Sequence, residues 1–279
     1  MQPVLVTGAS TGIGRATALR LDAAGWRVFA GVRKQEDAEA LVQAGSANLS
    51  PLFLDVTDAE QIAAAATRIE EEAGGRLDGL VNNAGIAIPG PLETLPLEDF
   101  RRQVDVNLTA QVAATQAMLP ALRRAGGRIV FLSSIGGRIA FPLNGAYHAA
   151  KFGVEAVGDV FRQELRPWDI RVSIVEPGSI DTPIWERGAR NADEIEARAH
   201  PDQDALYGKA IESFRKVVLD LAERGIPPQK VAKAIEHALD ARRPRSRYLV
   251  GLDAQLQARL KPLIPTPVFD RVVARMMNL

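Results

Sequence analysis

No cysteine occurs among the 279 residues, which excludes disulfides, thiolate metal sites and cysteine nucleophiles. Histidine is nearly as scarce. The three, at positions 148, 200 and 237, show no ligand spacing, so no metal site is expected. A net charge is also missing, because Lys+Arg and Asp+Glu both number 34. No overall basic field therefore favours nucleic acid or an anionic membrane surface, and neither is expected as a partner. The chain has no run of eighteen apolar residues, so no transmembrane helix is expected. The start Met1-Gln2-Pro3 has neither a basic segment nor a long apolar one behind it, which argues against a signal peptide. These absences lead to the expectation of a soluble cytoplasmic protein. Apolar residues make up 47% of the chain, enough for a sizeable core.

What is present alternates. Val4-Leu5-Val6 is a short apolar run, and the glycine-rich loop Thr7-Gly8-Ala9-Ser10-Thr11-Gly12-Ile13-Gly14 follows it. Residues 15–24 then show helical spacing through Ala16, Leu19 and Ala23. Strand, glycine loop and helix in this order suit a nucleotide. Gly8 allows a tight turn, Gly12 lets the backbone approach a pyrophosphate, and Gly14 lets helix and strand pack closely. The helix N-terminus would offer free N–H groups to the phosphates.

The alternation continues. Strands are expected at 27–32, 49–54, 77–81, 127–132, 171–175 and 247–250. Helices are expected at 35–44, 59–73, 97–122, 147–165 and 228–241. Asp58 reads as the cap of the third helix, and Pro120 as a break in the fourth. Buried strands alternating with helices imply a Rossmann-type, doubly wound α/β fold. Its seven-stranded, mostly parallel sheet would carry helices on both faces, in a single domain spanning residues 1–279. Every motif singled out follows the C-terminal end of a strand, the edge at which open α/β sheets bind ligands. Residues 179–226 break the pattern with a polar, charged stretch holding Arg187, Arg190, Asp193, Glu194, Glu196, Arg198, His200 and Asp202. They read as a substrate lid or an ordinary surface excursion. The tail 252–279 sets apolar residues between Arg259, Lys261, Arg271 and Arg275, and plain packing is its expected role.

The end of the second strand bears on cofactor choice. An acidic residue there would accept hydrogen bonds from the 2′-hydroxyl of a dinucleotide ribose. Here Arg33 and Lys34 follow Val32, with no carboxylate before Glu36. Two cations would pair with a 2′-phosphate, so NADP(H) is favoured over NAD(H). The plain alternative is a solvated helix start.

Tyr147-His148-Ala149-Ala150-Lys151 sets a phenol and an ammonium on one face of a helix. Ser134 lies upstream, at the end of an apolar strand. A phenol with a pKa near 10 is a poor base at neutral pH. A nearby Lys⁺ is expected to lower that value, and two or three units need roughly 3–4 kcal/mol of differential interaction.

With these residues in view, the chain resembles the short-chain dehydrogenase/reductase superfamily in its compact single-domain form. The resemblance is carried by Thr7 to Gly14, Asp55-Val56, Asn82-Asn83-Ala84-Gly85, Asn107, Ser134, Tyr147-x-x-x-Lys151 and Pro177-Gly178 with Thr182. It covers residues 1 to about 185. Beyond that, Glu176-Pro177-Gly178, Tyr207-Gly208-Lys209 and the stretch Pro244 to Gly251 look like the branch of retinol, 17β-hydroxysteroid and 3-hydroxybutyrate dehydrogenases.

The resemblance implies roles. Tyr147 exchanges a proton with the substrate oxygen. Lys151 lowers the phenol pKa and holds the nicotinamide ribose. Ser134 binds the substrate oxygen, and Asn107 supports a water linking Lys151 to solvent. Gly8, Ser10, Thr11, Gly12, Ile13, Gly14, Asp55, Val56, Asn83, Ala84, Gly85, Pro177, Gly178, Ile180 and Thr182 would surround the cofactor. Ile139, Phe141, Asn144 and Trp185 would line the substrate pocket or pack in loops, and His148 would point elsewhere. The expected activity is hydride transfer between a nicotinamide cofactor and a moderately apolar secondary alcohol or ketone. The expected assembly is a homodimer or homotetramer. The rival is a cofactor-sensing regulator without turnover, against which the full set Asn107, Ser134, Tyr147 and Lys151 argues.

Overall fold

The computed structural model describes residues 1–196 and 202–279. Arg198 and His200 of the charged stretch lie outside the described residues. Seven strands form one sheet: β1 (Pro3–Val6), β2 (Arg27–Val32), β3 (Leu49–Phe53), β4 (Gly79–Asn82), β5 (Arg128–Leu132), β6 (Arg171–Pro177) and β7 (Arg247–Val250). Their order is β3-β2-β1-β4-β5-β6-β7, and every pair is parallel. The sheet is thus wholly rather than mostly parallel. Its order reverses between β1 and β4, where Val6 stands opposite Val81. A crevice for ligands opens at such a reversal.

Two helical layers cover the sheet because successive strand residues point to opposite faces. Val4, Val6, Val28, Ala30, Val81 and Val130 join one core with Leu21, Val231 and Ile235. Those last three come from α1 (Gly12–Ala23) and α9 (Pro228–Asp240). Leu5, Phe29, Leu80, Ile129 and Phe131 join the other, with Ile69, Met118 and Val154. Those come from α3 (Ala59–Glu72), α5 (Ala110–Ala125) and α6 (Gly145–Glu164). The short α2 (Gln35–Ala44) adds Ala38 and Leu41 to the first core.

Asp58 caps α3, accepting from the backbone N–H groups of Glu60 and Gln61. Asp58→Ala is expected to cost about 1 kcal/mol, seen as a melting midpoint lower by roughly 2–4 °C.

The expected helix 97–122 differs. α4 (Leu97–Val104) passes into a π-helical turn, Asp105–Thr109, before α5 begins. Pro120 does not break α5, which runs on to Ala125 and ends at Gly126 in the left-handed conformation. Proline removes one helical hydrogen bond. The buried face of Ala114, Met118, Ala121 and Leu122 outweighs that local loss.

The charged stretch is mostly helical, as α7 (Ile184–Glu196) and α8 (Gln203–Glu223). Both touch the segment after β4. Asn191 Nδ2 donates to the Ala87 carbonyl at 2.7 Å, Thr94 bonds Gln203, and the Tyr207 hydroxyl bonds Glu93. The tail folds as α10 (Leu252–Leu260) and α11 (Thr266–Met277). Val273 and Met277 pack with Leu143 and Ala210 in a small separate core, flanked by Phe141, Phe214 and Phe269. Among the described residues no helix is long and apolar enough to cross a membrane.

Candidate active site

The glycine loop sits at the reversal of strand order. Thr7 ties it to the end of β4, because its hydroxyl accepts from the backbone N–H groups of Asn83 and Ala84 at 2.9 and 3.0 Å. Asn83 returns two bonds through Nδ2, to the carbonyls of Thr7 and Gly8 at 2.8 and 3.0 Å. Thr7 stands inside the quoted motif but was not assigned a role from sequence. Its signal was its place directly after the apolar run. Gly12, at φ +54°, presses on Thr182: a Cβ there would lie 3.0 Å from the Thr182 methyl. Thr11 precedes α1 without any side-chain cap bond, which leaves first-turn N–H groups of Gly12, Ile13 and Gly14 for a ligand. Ser10, Thr11, Gly12 and Ile13 are part-exposed around that end. An uncapped helix start behind a loop with no room for a side chain at Gly8, Gly12 or Gly14 fits a dinucleotide pyrophosphate.

Other predicted cofactor residues divide. Arg33 and Lys34 stand exposed after β2, as expected. Each has a carboxylate partner: Arg33 with Asp55 at 3.6 Å, Lys34 with Glu36 at 3.0 Å. Burial pushes the Asp55 carboxyl up, but bonds from Thr57 and the charge of Arg33 hold it net below 3.8. Val56 and Ile180 are core residues, so at most their backbones face a ligand. Gly178 turns toward the tail rather than the crevice. A Cβ there would meet the Asp253 carboxylate at 2.2 Å, and the Ser179 N–H donates to that carboxylate at 2.7 Å. Pro177, its neighbour, ends β6.

The proton-transfer candidates come from three elements. Ser134 follows β5, and its hydroxyl accepts from the Gly136 N–H at 3.0 Å while also bonding the Tyr147 phenol. Tyr147 and Lys151 lie one turn apart on α6, with Lys151 Nζ 5.7 Å from the phenol ring centroid. The ammonium is buried and donates to the Leu132 carbonyl at 2.7 Å. Asn107 sits inside the π-helical turn. Its side chain bonds both backbone groups of Ile86, at 2.8 and 2.9 Å, beside Gly85. Asn107, Ser134, Tyr147 and Lys151 therefore meet at one end of the sheet, next to Asn83, Ala84 and Gly85.

Electrostatics depart from the expectation. Burial pushes the Tyr147 phenol above 10, and the Ser134 bond only partly opposes it. The nearby ammonium does not offset that burial, which also draws Lys151 itself down to about 8. His148 points away, as expected. Its Nδ1 lies 2.8 Å from the Gly136 carbonyl, and burial holds it below 6.5. Of the pocket candidates, Ile139 is buried, and Phe141 packs against the tail. Trp185 donates from Nε1 to the Ile180 carbonyl at 2.7 Å, which fixes the start of α7. Asn144 precedes α6 and pairs with Gly90 across a short bridge. A cavity of about 720 Å³ lies between α1 and α9, lined by Gly12, Arg15, Leu19, Asp181, Pro183 and Glu236. It lies behind the glycine loop and does not reach Tyr147, so it is not the site of proton transfer.

Known proteins resemble this chain in sequence and fold. The family model for short chain dehydrogenase matches residues 2–193. Retinol dehydrogenase 5 of Mus musculus is 38% identical, over 97% of this chain and 87% of its own length. The 17-beta-hydroxysteroid dehydrogenase type 6 of Bos taurus is also 38% identical, over 98% and 87%. A solved short-chain dehydrogenase from Streptomyces avermitilis superposes with TM-score 0.76 at 30% identity, over 99% of this chain and 95% of its own. One from Burkholderia cenocepacia, in complex with NADP, gives 0.73 at 28%, over 99% of both chains. On the family model and on relatives covering nearly its whole length, the chain belongs to the short-chain dehydrogenase family.

Proposed function

We propose that the protein is an NAD(P)-dependent oxidoreductase that interconverts a secondary alcohol and a ketone. The observation that carries this is the meeting of Ser134, Tyr147 and Lys151 beside a glycine loop built for a pyrophosphate. A bound nicotinamide cofactor supplies or takes up the hydride. The chain supplies the rest. Tyr147 delivers a proton to the substrate oxygen in reduction and removes it in oxidation. The Ser134 hydroxyl, already bonded to the phenol, holds that oxygen and stabilises the charge it develops. The Lys151 charge biases the phenol, and Asn107 fixes the backbone at Ile86 from inside the π-helical turn.

The polar set would serve no purpose in a regulator that only binds nucleotide. The substrate is proposed to be moderately apolar, in keeping with the relatives named for retinol and a 17-beta-hydroxysteroid. Helices α7 and α8 are proposed as its lid, since they bond the segment after β4 at Ala87, Glu93 and Thr94. Exposed Phe152 and Val160 on α6 support a homo-oligomer. A monomer by light scattering would remove that part of the proposal.

NADP(H) is proposed over NAD(H), with Arg33 as the main 2′-phosphate contact. A phosphate must compete with Asp55 for that guanidinium, and the exposed site weakens the attraction. Arg33→Ala is expected to raise the NADPH dissociation constant about five- to tenfold, a loss near 1 kcal/mol, and to leave NADH within about twofold. Titration of nicotinamide fluorescence reads both. An equal loss for the two cofactors would show that Arg33 does not read the phosphate. The whole assignment is tested by turnover of NADPH with a panel of apolar ketones, and no turnover with any of them or with the matching alcohols counts against an enzyme.

A further inference from the structure

Behind Lys151 lies a half-buried cluster of charges, centred on the fully buried Glu176, that the proton-transfer set does not use. Glu155 is one turn further along α6, on the same side, with its side chain 12% exposed. Arg247, on β7, reaches it through Nε at 3.1 Å. The same guanidinium reaches Glu176 on β6 at 3.1 Å and Asp159 on α6 at 2.7 Å. Glu176 is fully buried and pairs a second time, with Arg138 at 2.7 Å. Glu155 Oε1 and the Ser133 hydroxyl lie buried in the same cluster, and neither makes a hydrogen bond among the described residues. The cluster is packed tight. A Cβ added at Gly137 would come within 2.7 Å of Ser133 Oγ, 2.9 Å of the Lys151 carbonyl and 3.1 Å of Glu155 Cγ. The groups bearing on Glu155 are therefore Lys151 and Asp159 from its own helix, Ser133 after β5, Glu176 from β6 and Arg247 from β7, with Arg138 bearing on Glu176.

We propose that Glu155 is a positioning residue that keeps the Lys151 ammonium charged while the site works, and that Arg247 keeps Glu155 anionic in turn. The inference rests on the oxidoreductase reading for its purpose, not for its geometry. Among the described residues the buried ammonium donates only to a neutral carbonyl, that of Leu132. Burial makes its proton easier to lose, and Glu155 is the charge that opposes this. Glu155 is itself pushed up by burial; the Ser133 hydroxyl lowers it, Glu176 raises it again, and Arg247 counters. Arg247 is held charged by its bond to Asp159. The result is a row of alternating charge, guanidinium, carboxylate and ammonium, ending at the phenol that moves the proton. Only a charged Lys151 favours the phenolate form, so the state of Glu155 reaches Tyr147 without touching substrate.

The sign of the effect follows. Removing the carboxylate charge lets Lys151 lose its proton at a lower pH. At acid pH Glu155 is protonated in the native protein too, so variant and native protein converge there.

The test follows Lys151 directly, in full-length protein carrying 13C-labelled lysine, by NMR titration. The Lys151 signal is assigned by its loss in Lys151→Arg. Glu155→Gln is expected to lower the Lys151 midpoint by about one pH unit. The alkaline limb of the kcat profile for ketone reduction should fall by the same amount, with kcat at acid pH unchanged. A purely structural glutamate would alter the melting midpoint and leave the lysine titration in place. An unmoved midpoint overturns the proposal, whatever the turnover. A moved midpoint in a protein that turns over no ketone or alcohol sustains the proposal for Glu155 and removes the oxidoreductase reading instead. If Glu155→Gln does not fold, Glu155→Met, which brings no amide needing partners, is read by the same criterion.

Discussion

Replacing Tyr147 with phenylalanine is expected to lower kcat about a thousandfold while nucleotide affinity stays within about twofold. The ring is retained, so its edge contact with His148, at 6.0 Å between centroids, and its place under the Lys151 ammonium persist. Only the hydroxyl is lost, and with it the bond to Ser134. Positioned proton transfer contributes roughly 10²–10⁴ in rate, and no other acid bonds Ser134 among the described residues to replace it. The pH dependence follows from a phenol held above 10 by burial. At neutral pH fewer than about one phenol in a thousand is ionised. The resting site is thus ready to donate a proton, which suits reduction. Oxidation needs the phenolate, and its rate should climb about tenfold per pH unit toward the phenol pKa. Oxidation that is flat from pH 7 to 9, in steady-state assays with saturating cofactor, would mean that bound cofactor has already lowered the phenol. Full turnover by Tyr147→Phe would remove the residue from the mechanism.

How much of this was legible in the sequence follows from distance along the chain. The sheet and its covering helices were visible because alternation and helical spacing are local. So were Tyr147 and Lys151, one turn apart on α6, and the glycines before α1. Pro120 misled because local propensity argues for a break, whereas the decision came from Ala110, Met118, Ala121 and Leu122 packing on the sheet. The π-helical turn at Asn107 left no trace, since one extra residue in a helical run barely alters its periodicity. Gly178 matched its motif, yet it faces Asp253 far along the chain. The Glu155 cluster draws on α6, β6 and β7, with Arg247 92 residues from Glu155. No short motif reports such a pairing. Burial decided the direction of the phenol's pKa shift, and burial belongs to the folded chain.

Gly14→Ala is expected to abolish useful nucleotide binding and also to destabilise the protein. The new Cβ would lie 2.1 Å from the Gly8 carbonyl oxygen and 2.4 Å from Asn83 Nδ2. Neither atom can yield freely. The carbonyl belongs to the loop backbone, and Nδ2 donates to Thr7 and Gly8 at once. Relief requires the loop to leave β4, which moves the first-turn N–H groups of α1 off the pyrophosphate. Two charge-assisted bonds at about 1.5 kcal/mol each amount to roughly a hundredfold in affinity. Overpacking adds about 2–3 kcal/mol against folding, or a melting midpoint lower by roughly 5 °C. Gly74→Ala separates this from a generic glycine effect. Gly74 has φ +59° with nothing within 4 Å of a new Cβ, so its cost is conformational, about 1 kcal/mol, and binding is untouched. Gly14 does not hold a positive φ, so its requirement for glycine is one of space alone. Comparable losses of affinity in the two variants, measured by NADPH fluorescence, would mean that the loop's fit to the β4 end is not what positions the pyrophosphate.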